Sequence, residues 1–137
     1  MKRNQLLNLL LIAACSSLHA EEDSLLENQM KILARGTRQL SQQVSDPARQ
    51  QNTIELIESL KKAALAARTL DPRKTSEIPE VKRAQFLADY RTEVDELRNA
   101  FDQIEEAVKA GQYEKAKSLL ATVNSIKKEG HGKFKTD

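Results

Sequence analysis

The stretch EVKRAQFLADYRTEVDELRNAFDQIEEAVKAG, residues 80–111, decides the fold of this chain. Its apolar residues recur at alternating steps of three and four, which places them along one face of a bundled helix. This face comprises Leu87, Tyr90, Val94, Leu97, Phe101, Ile104 and Val108. Gly111 follows directly and is the residue type that most often ends a helix. The stretch therefore predicts a long amphipathic helix that ends at Gly111.

Three further segments show the same periodicity. Ser24 and Glu27 have the spacing of a capping box and predict the start of the first helix. Asp46-Pro47 ends that helix and opens the second, which stops near Leu70. The fourth helix follows Gly111 and is expected to fray around residues 130–132, where two glycines flank a histidine. Their inner faces carry Leu26, Met30, Leu33, Thr37, Leu40 and Val44, then Thr53, Ile57, Leu60, Ala64 and Ala67, then Ala116, Leu119, Leu120, Val123 and Ile126.

Short connections between these helices make neighbours antiparallel, so the sequence predicts an all-α, antiparallel up-down-up-down four-helix bundle. The longest break runs from Asp71 to Pro79. Composition supports this class, because 137 residues contain only 4 Gly, 3 Pro and 4% aromatics, which is poor material for a β-sandwich. Charged residues make up 31% with both signs balanced, and no basic stretch with interleaved aromatics occurs, which disfavours a nucleic-acid partner.

The first twenty residues are typical of a secretory signal peptide. Lys2 and Arg3 precede a short apolar run, and small residues lead up to Ala20. The run is too short to span a membrane, which needs about 20 apolar residues. Cleavage after Ala20 would leave a mature domain of residues 21–137 with 20 basic and 20 acidic residues. The net charge of +2 therefore belongs to the precursor and indicates no charged partner.

Cys15 offers a second interpretation of the same segment. Ile12-Ala13-Ala14-Cys15 resembles a bacterial lipobox, in which the cysteine receives lipid and becomes the first mature residue. Both alternatives remain open, and both remove the free thiol and export the protein. We therefore expect a periplasmic protein, or one anchored by lipid at a membrane facing the periplasm.

The predicted topology brings two potential iron ligands to one end of the bundle. Met30 lies near the start of the first helix and His131 lies in the last turn of the fourth. A thioether and an imidazole on adjacent helices can be the axial ligands of a haem iron. Periodicity alone leaves two other interpretations, in which Met30 fills the core and His131 belongs to a solvated tail.

Several motifs together resemble the cytochrome b562 family, over essentially the whole mature chain. These motifs are Asn28-Gln29-Met30-Lys31, Ala63-Ala64-Leu65-Ala66-Ala67, Ile78-Pro79-Glu80, Ala110-Gly111-Gln112-Tyr113-Glu114-Lys115-Ala116 and Lys127-Lys128-Glu129-Gly130-His131-Gly132-Lys133-Phe134-Lys135. No single motif is specific, and the resemblance depends on the ordered set together with the closing pattern of His, Lys, aromatic and basic residues. Where the family carries an aromatic residue just before the histidine, this chain has Gly130.

The resemblance implies one haem b per chain, held without covalent bonds between Met30 and His131. The absence of a C-x-x-C-H motif agrees with non-covalent attachment. We expect Leu33, Leu120 and Phe134 to pack around the haem. The third helix adds Phe86, Tyr90 and Phe101 as further aromatic candidates.

The sequence argues against an enzyme. One histidine in the mature domain, with a cysteine that is either removed or lipidated, cannot build a hydrolytic triad or a zinc site. A di-iron centre needs Glu-x-x-His on a helix, whereas Lys128 stands three residues before His131. The acidic residues of the third helix are expected to lie on solvated faces. These residues are Glu93, Asp95, Glu96, Glu105 and Glu106.

Three functions are consistent with these residues. The first is an exported b-type cytochrome that carries single electrons between redox proteins the sequence does not identify. The second is a haem-free structural or stress-related bundle, and the third is a haem-storage or delivery protein. For the first we expect a monomer without a membrane span.

Overall fold

The protein is a bundle of four helices joined by short connections. A computed structural model describes residues 2–136, and it describes side chains for residues 18–136. The helices are α1 (Lys2–Gln43), α2 (Gln50–Arg68), α3 (Glu80–Lys109) and α4 (Tyr113–Phe134). Short 3-10 helices at Pro47–Arg49 and Arg73–Glu77 lie in the first two connections. The predicted all-α, up-down-up-down four-helix bundle is confirmed.

Two predicted turns form by the chemistry of their own residues. The side chain of Asp46 accepts a hydrogen bond from the backbone N–H of Ala48 at 3.0 Å, which caps the 3-10 helix that leads into α2. At the other corner Gly111 has φ +69°, a left-handed conformation that glycine adopts without strain. The backbone N–H of Gln112 then donates to the carbonyl of Ala107 at 2.8 Å, which completes the cap of α3.

Two predicted helix boundaries were wrong. Ser24 does not begin a helix, because α1 runs through it without a break from Lys2 to Gln43. Residues 18–23 contain neither Gly nor Pro, so nothing in them stops the helix, and a capping residue needs non-helical backbone angles. Nor does α4 fray around Gly130–Gly132, since it remains helical to Phe134, whose buried ring holds the final turn.

The hydrophobic core is tightest at one end of the bundle, which we call the closed end. There the C-terminal ends of α1 and α3 meet the N-terminal parts of α2 and α4. The largest fully buried apolar side chains are Leu40, Val44, Ile57, Leu60, Phe101, Ile104, Val108 and Val123. These are positions that the periodicity assigned to inner faces. Gly36 allows α1 to approach α2 closely, because a Cβ there would lie 2.4 Å from Cδ2 of Leu60.

The opposite end of the bundle, which we call the open end, is less tightly packed. Each helix packs along the next one in sequence, whereas α1 and α4 make few direct contacts. The middle of α1 is instead tied to the connection after α2. Glu22 accepts a hydrogen bond from the backbone N–H of Asp71 at 3.0 Å, and Asp23 forms an ion pair with Arg73 at 3.3 Å.

The predicted signal segment is covered only at its end, because the side chains of residues 1–17, including Cys15, lie outside the described residues. In the described part of the chain, no helix combines the length and apolar character required to cross a bilayer.

Candidate functional site

A cavity of about 1470 Å³ opens at the loosely packed end of the bundle. Its walls come from α1, α3 and α4, and Pro72 and Arg73 of the α2–α3 connection contribute at its edge. The volume exceeds the 300–1,000 Å³ of ordinary small-molecule pockets. The apolar wall contains Leu26, Leu33, Val94, Leu97, Ile126 and Phe134.

The structure brings Met30 and His131 onto the walls of this one cavity. Met30 is half-buried on α1 and packs against the core, so its thioether side chain is held by the helix interface. His131 lies on the last turn of α4 and is exposed. Residues 101 positions apart in the chain therefore share one space, as the topology predicted.

The other predicted packing residues divide into two groups. Leu33 and Phe134 line the cavity and are at least nine-tenths buried. Leu120 is also buried, but it lies in the core and does not contribute to the cavity wall.

An aromatic cluster fixes the last turn of α4 against α3. The ring of Phe134 packs edge-on against Phe86 at 5.3 Å and against Tyr90 at 5.5 Å between centroids. The hydroxyl of Tyr90 donates a hydrogen bond to the carbonyl of Ala67 at 2.7 Å, so this ring is also tied to α2. Of the aromatic candidates on α3, Tyr90 lines the cavity and Phe101 lies in the core.

Two acidic residues of α3 contradict their predicted exposure. Glu93 is 8% exposed and lines the cavity, and Glu105 is 6% exposed near the closed end. Each is buried with lysine partners that offset the cost of burying a carboxylate. Nζ of Lys133 lies 3.4 Å from Oε2 of Glu93, and Nζ of Lys61 lies 2.8 Å from Oε2 of Glu105.

The sequence did contain a signal for these buried carboxylates. Glu93 lies three residues after Tyr90 and four before Leu97, which is inner-face spacing. Glu105 also has inner-face spacing, because it lies four residues after Phe101 and three residues before Val108. Acidic side chains usually favour solvated faces, but the position of these two residues within the helix period places them inside.

Cations border the cavity together with the apolar wall. Lys31, Arg73 and Lys135 line it as exposed side chains, and Lys127 lines it half-buried. Burial lowers the pKa of Lys127, and the nearby positive charge of Arg38 lowers it further. Such groups could pair with the carboxylates of an anionic ligand whose body occupies the apolar part.

Comparison with known families explains this arrangement. The sequence model of cytochrome b562 matches residues 25–135, most of the chain. The chain belongs to the cytochrome b562 family. The resemblance drawn from the motifs is thereby confirmed. No individual curated protein matches this cytochrome b562 family member.

Family membership indicates a haem-binding electron carrier with a four-helix fold, and the family is periplasmic. It also implies a b-type haem rather than a catalytic centre. The donors in this chain agree with that implication, because an imidazole and a thioether are established axial haem ligands. Among the described residues no group of three or more His, Cys, Asp or Glu forms a separate metal site.

Proposed function

We propose that this protein is an exported b-type cytochrome. It would bind one non-covalent haem b and carry single electrons between redox partners in the periplasm. Met30 and His131 would be the axial ligands of the iron, and the chain would act as a monomer. The observation that carries the proposal is that both side chains line the same large, mostly apolar cavity.

The residues around the two ligands suit this role. Leu33 and Phe134 offer apolar contact inside the cavity, whereas Leu120 lies in the buried core. Excluding water from the iron in this way is one means by which proteins tune reduction potential. When bound, the haem supplies the redox centre, and the protein supplies ligation, orientation and electrostatics.

Processing affects the edge of the cavity. His19 and Ala20 line it, and both precede the cleavage point predicted after Ala20. A protein that begins at Cys15 would retain them, whereas one that begins at residue 21 would lose them. Met30 and His131 are present in both forms, so the proposed ligation does not depend on which one is correct. Intact mass of the purified protein distinguishes the two forms.

The test is haem uptake by the purified protein. The protein should bind haemin with a stoichiometry of one to one and give a low-spin spectrum when reduced. Met30→Ala and His131→Ala should each abolish the low-spin spectrum, because each removes one axial ligand. Ile32→Ala and Lys128→Ala are matched controls on the exposed faces of α1 and α4 and should bind haem normally.

Other results would favour the alternative functions. No haem uptake by the wild-type protein would favour a haem-free bundle. Uptake followed by rapid transfer to apo-globin would favour storage or delivery. A low-spin spectrum that survives both ligand substitutions would refute the assignment of Met30 and His131.

A further inference from the structure

One charged side chain differs from the others that line the cavity. Glu93 is buried at 8% exposure, whereas the acidic and basic lining residues elsewhere in residues 18–136 are half-buried or exposed. Its neighbours on α3, Tyr90 and Val94, are also buried and line the same wall. Glu93 therefore places a carboxylate within an apolar surface, where charges are screened less than in water.

The partner of Glu93 lies on the solvent side. Lys133 approaches Oε2 at 3.4 Å, but its own side chain is 58% exposed and is not part of the cavity wall. Lys133 also lies 3.8 Å from Glu129, so its charge is shared. The hydrogen bond and charge of Glu93 raise the pKa of Lys133. The compensation for Glu93 is therefore one-sided and comes from outside the cavity.

Glu93 also lies close to the helix turn that carries the proposed ligand. A Cβ built on Gly130 would be 3.8 Å from Oε1 of Glu93, and His131 is the next residue. The carboxylate thus borders the part of α4 that presents the imidazole.

We propose that Glu93 lowers the reduction potential of the bound haem by holding a negative charge at the cavity wall. This inference rests on the proposed haem function. Ferric haem carries one more positive charge than ferrous haem, so a nearby anion favours the oxidised state. Lys133 partly cancels this effect from the solvent side. The two residues thus act on the potential in opposite directions.

The direction in which each variant changes the reduction potential distinguishes electrostatic tuning from a purely structural role of the ion pair. If the ion pair only held α3 and α4 together, loss of either partner would loosen the site in the same way. If the charges tune the potential, Glu93→Gln raises it and Lys133→Gln lowers it. Gln keeps the size of Glu and removes its charge, so packing is largely preserved.

The experiment is a spectroelectrochemical titration of the haem-loaded full protein at pH 7. A unit charge about 10 Å from a metal in an effective dielectric near 20 shifts a one-electron equilibrium on the order of tenfold. We therefore expect Glu93→Gln to raise the potential by about 59 mV, the value of a tenfold change. Lys133→Gln should give a smaller decrease because that side chain is exposed. The double variant should fall between the single variants.

Glu105→Gln is the matched control. Glu105 is an equally buried, lysine-paired carboxylate on the same helix, but it does not line the cavity. Its substitution should leave the potential close to wild type. The low-spin spectrum must persist in all variants, which shows that ligation is intact.

The possible failures are distinct. Haem uptake with an unchanged potential in Glu93→Gln, or with shifts of equal sign in Glu93→Gln and Lys133→Gln, overturns this inference alone. Absence of haem uptake by the wild-type protein overturns the inference and the proposed function together.

Discussion

Replacement of Phe134 by Ala tests whether the aromatic cluster holds the open end of the bundle. Phe134 is 8% exposed and packs edge-on against Phe86 and Tyr90. Buried Phe-to-Ala changes cost about 3–5 kcal/mol. Because Phe134 ends α4 and borders the cavity, its neighbours can relax, which favours the lower limit. We expect the free energy of unfolding to fall by about 3 kcal/mol.

Phe134→Leu separates burial from ring geometry. Leucine keeps much of the apolar surface but loses both edge-on contacts, each of which contributes about 0.5–1.5 kcal/mol. We expect a loss of about 1–2 kcal/mol for this variant. Urea unfolding followed by circular dichroism measures both values, and the slope against urea should not change.

The control lies at the closed end of the bundle. Phe101 is fully buried and does not line the cavity, so Phe101→Ala should destabilise at least as much as Phe134→Ala. Only Phe134→Ala should also weaken the proposed haem binding, because the freed turn carries His131. A loss below about 1 kcal/mol for Phe134→Ala, against the 3–5 kcal/mol typical of buried rings, would refute this reasoning.

Two further predictions concern glycine and pH. Gly132→Ala should stabilise the protein by about 0.5–1 kcal/mol, because a Cβ there meets nothing within 4 Å in a helix. Gly111→Ala should instead destabilise it by about 1–2 kcal/mol, since φ is +69°. Thermal unfolding should therefore show a raised midpoint for Gly132→Ala and a lowered midpoint for Gly111→Ala. Midpoints that change in the same direction would contradict this pair of predictions. Burial raises the pKa of Glu105, but hydrogen bonds from Lys109 and Lys61 outweigh it, and the net pKa is lowered. Glu105 therefore stabilises the fold when the pH is above its ordinary pKa of 4.5. This contribution is lost as the pH falls through the lower pKa that Glu105 has in the folded protein. Glu105→Gln should flatten the dependence of stability on pH in the acid range, and an unchanged slope would count against this assignment.

The helix faces could be predicted from the sequence because their period is set by geometry. Ile57, Leu60, Ala64 and Ala67 on α2 are buried, as are Leu40 on α1 and Phe101 on α3. Gly111 was also predictable, since few residues tolerate its backbone angle. The topology then follows from short connections, and it brings Met30 and His131 to one cavity.

Helix ends were less predictable because tertiary contacts decide them. The spacing of Ser24 and Glu27 permits a capping box, but the helix formers before them continue α1. Likewise the glycines beside His131 permit fraying, but burial of Phe134 three residues later keeps the turn helical. Local preferences of a few tenths to about 1 kcal/mol are small beside the burial of one aromatic ring.

The topology explains why one end of the bundle is tightly packed while the other end forms a cavity. Consecutive helices are joined by short turns and must pack together, but no turn joins α1 to α4, so their separation can vary along the bundle. At the closed end large side chains such as Leu40 and Val123 fill the interior. At the open end the walls include Ser24, Ala34 and Gly130, which leave space between the helices. The closed end can therefore supply the folding free energy, and the open end can keep a cavity large enough for a cofactor without unfolding the chain.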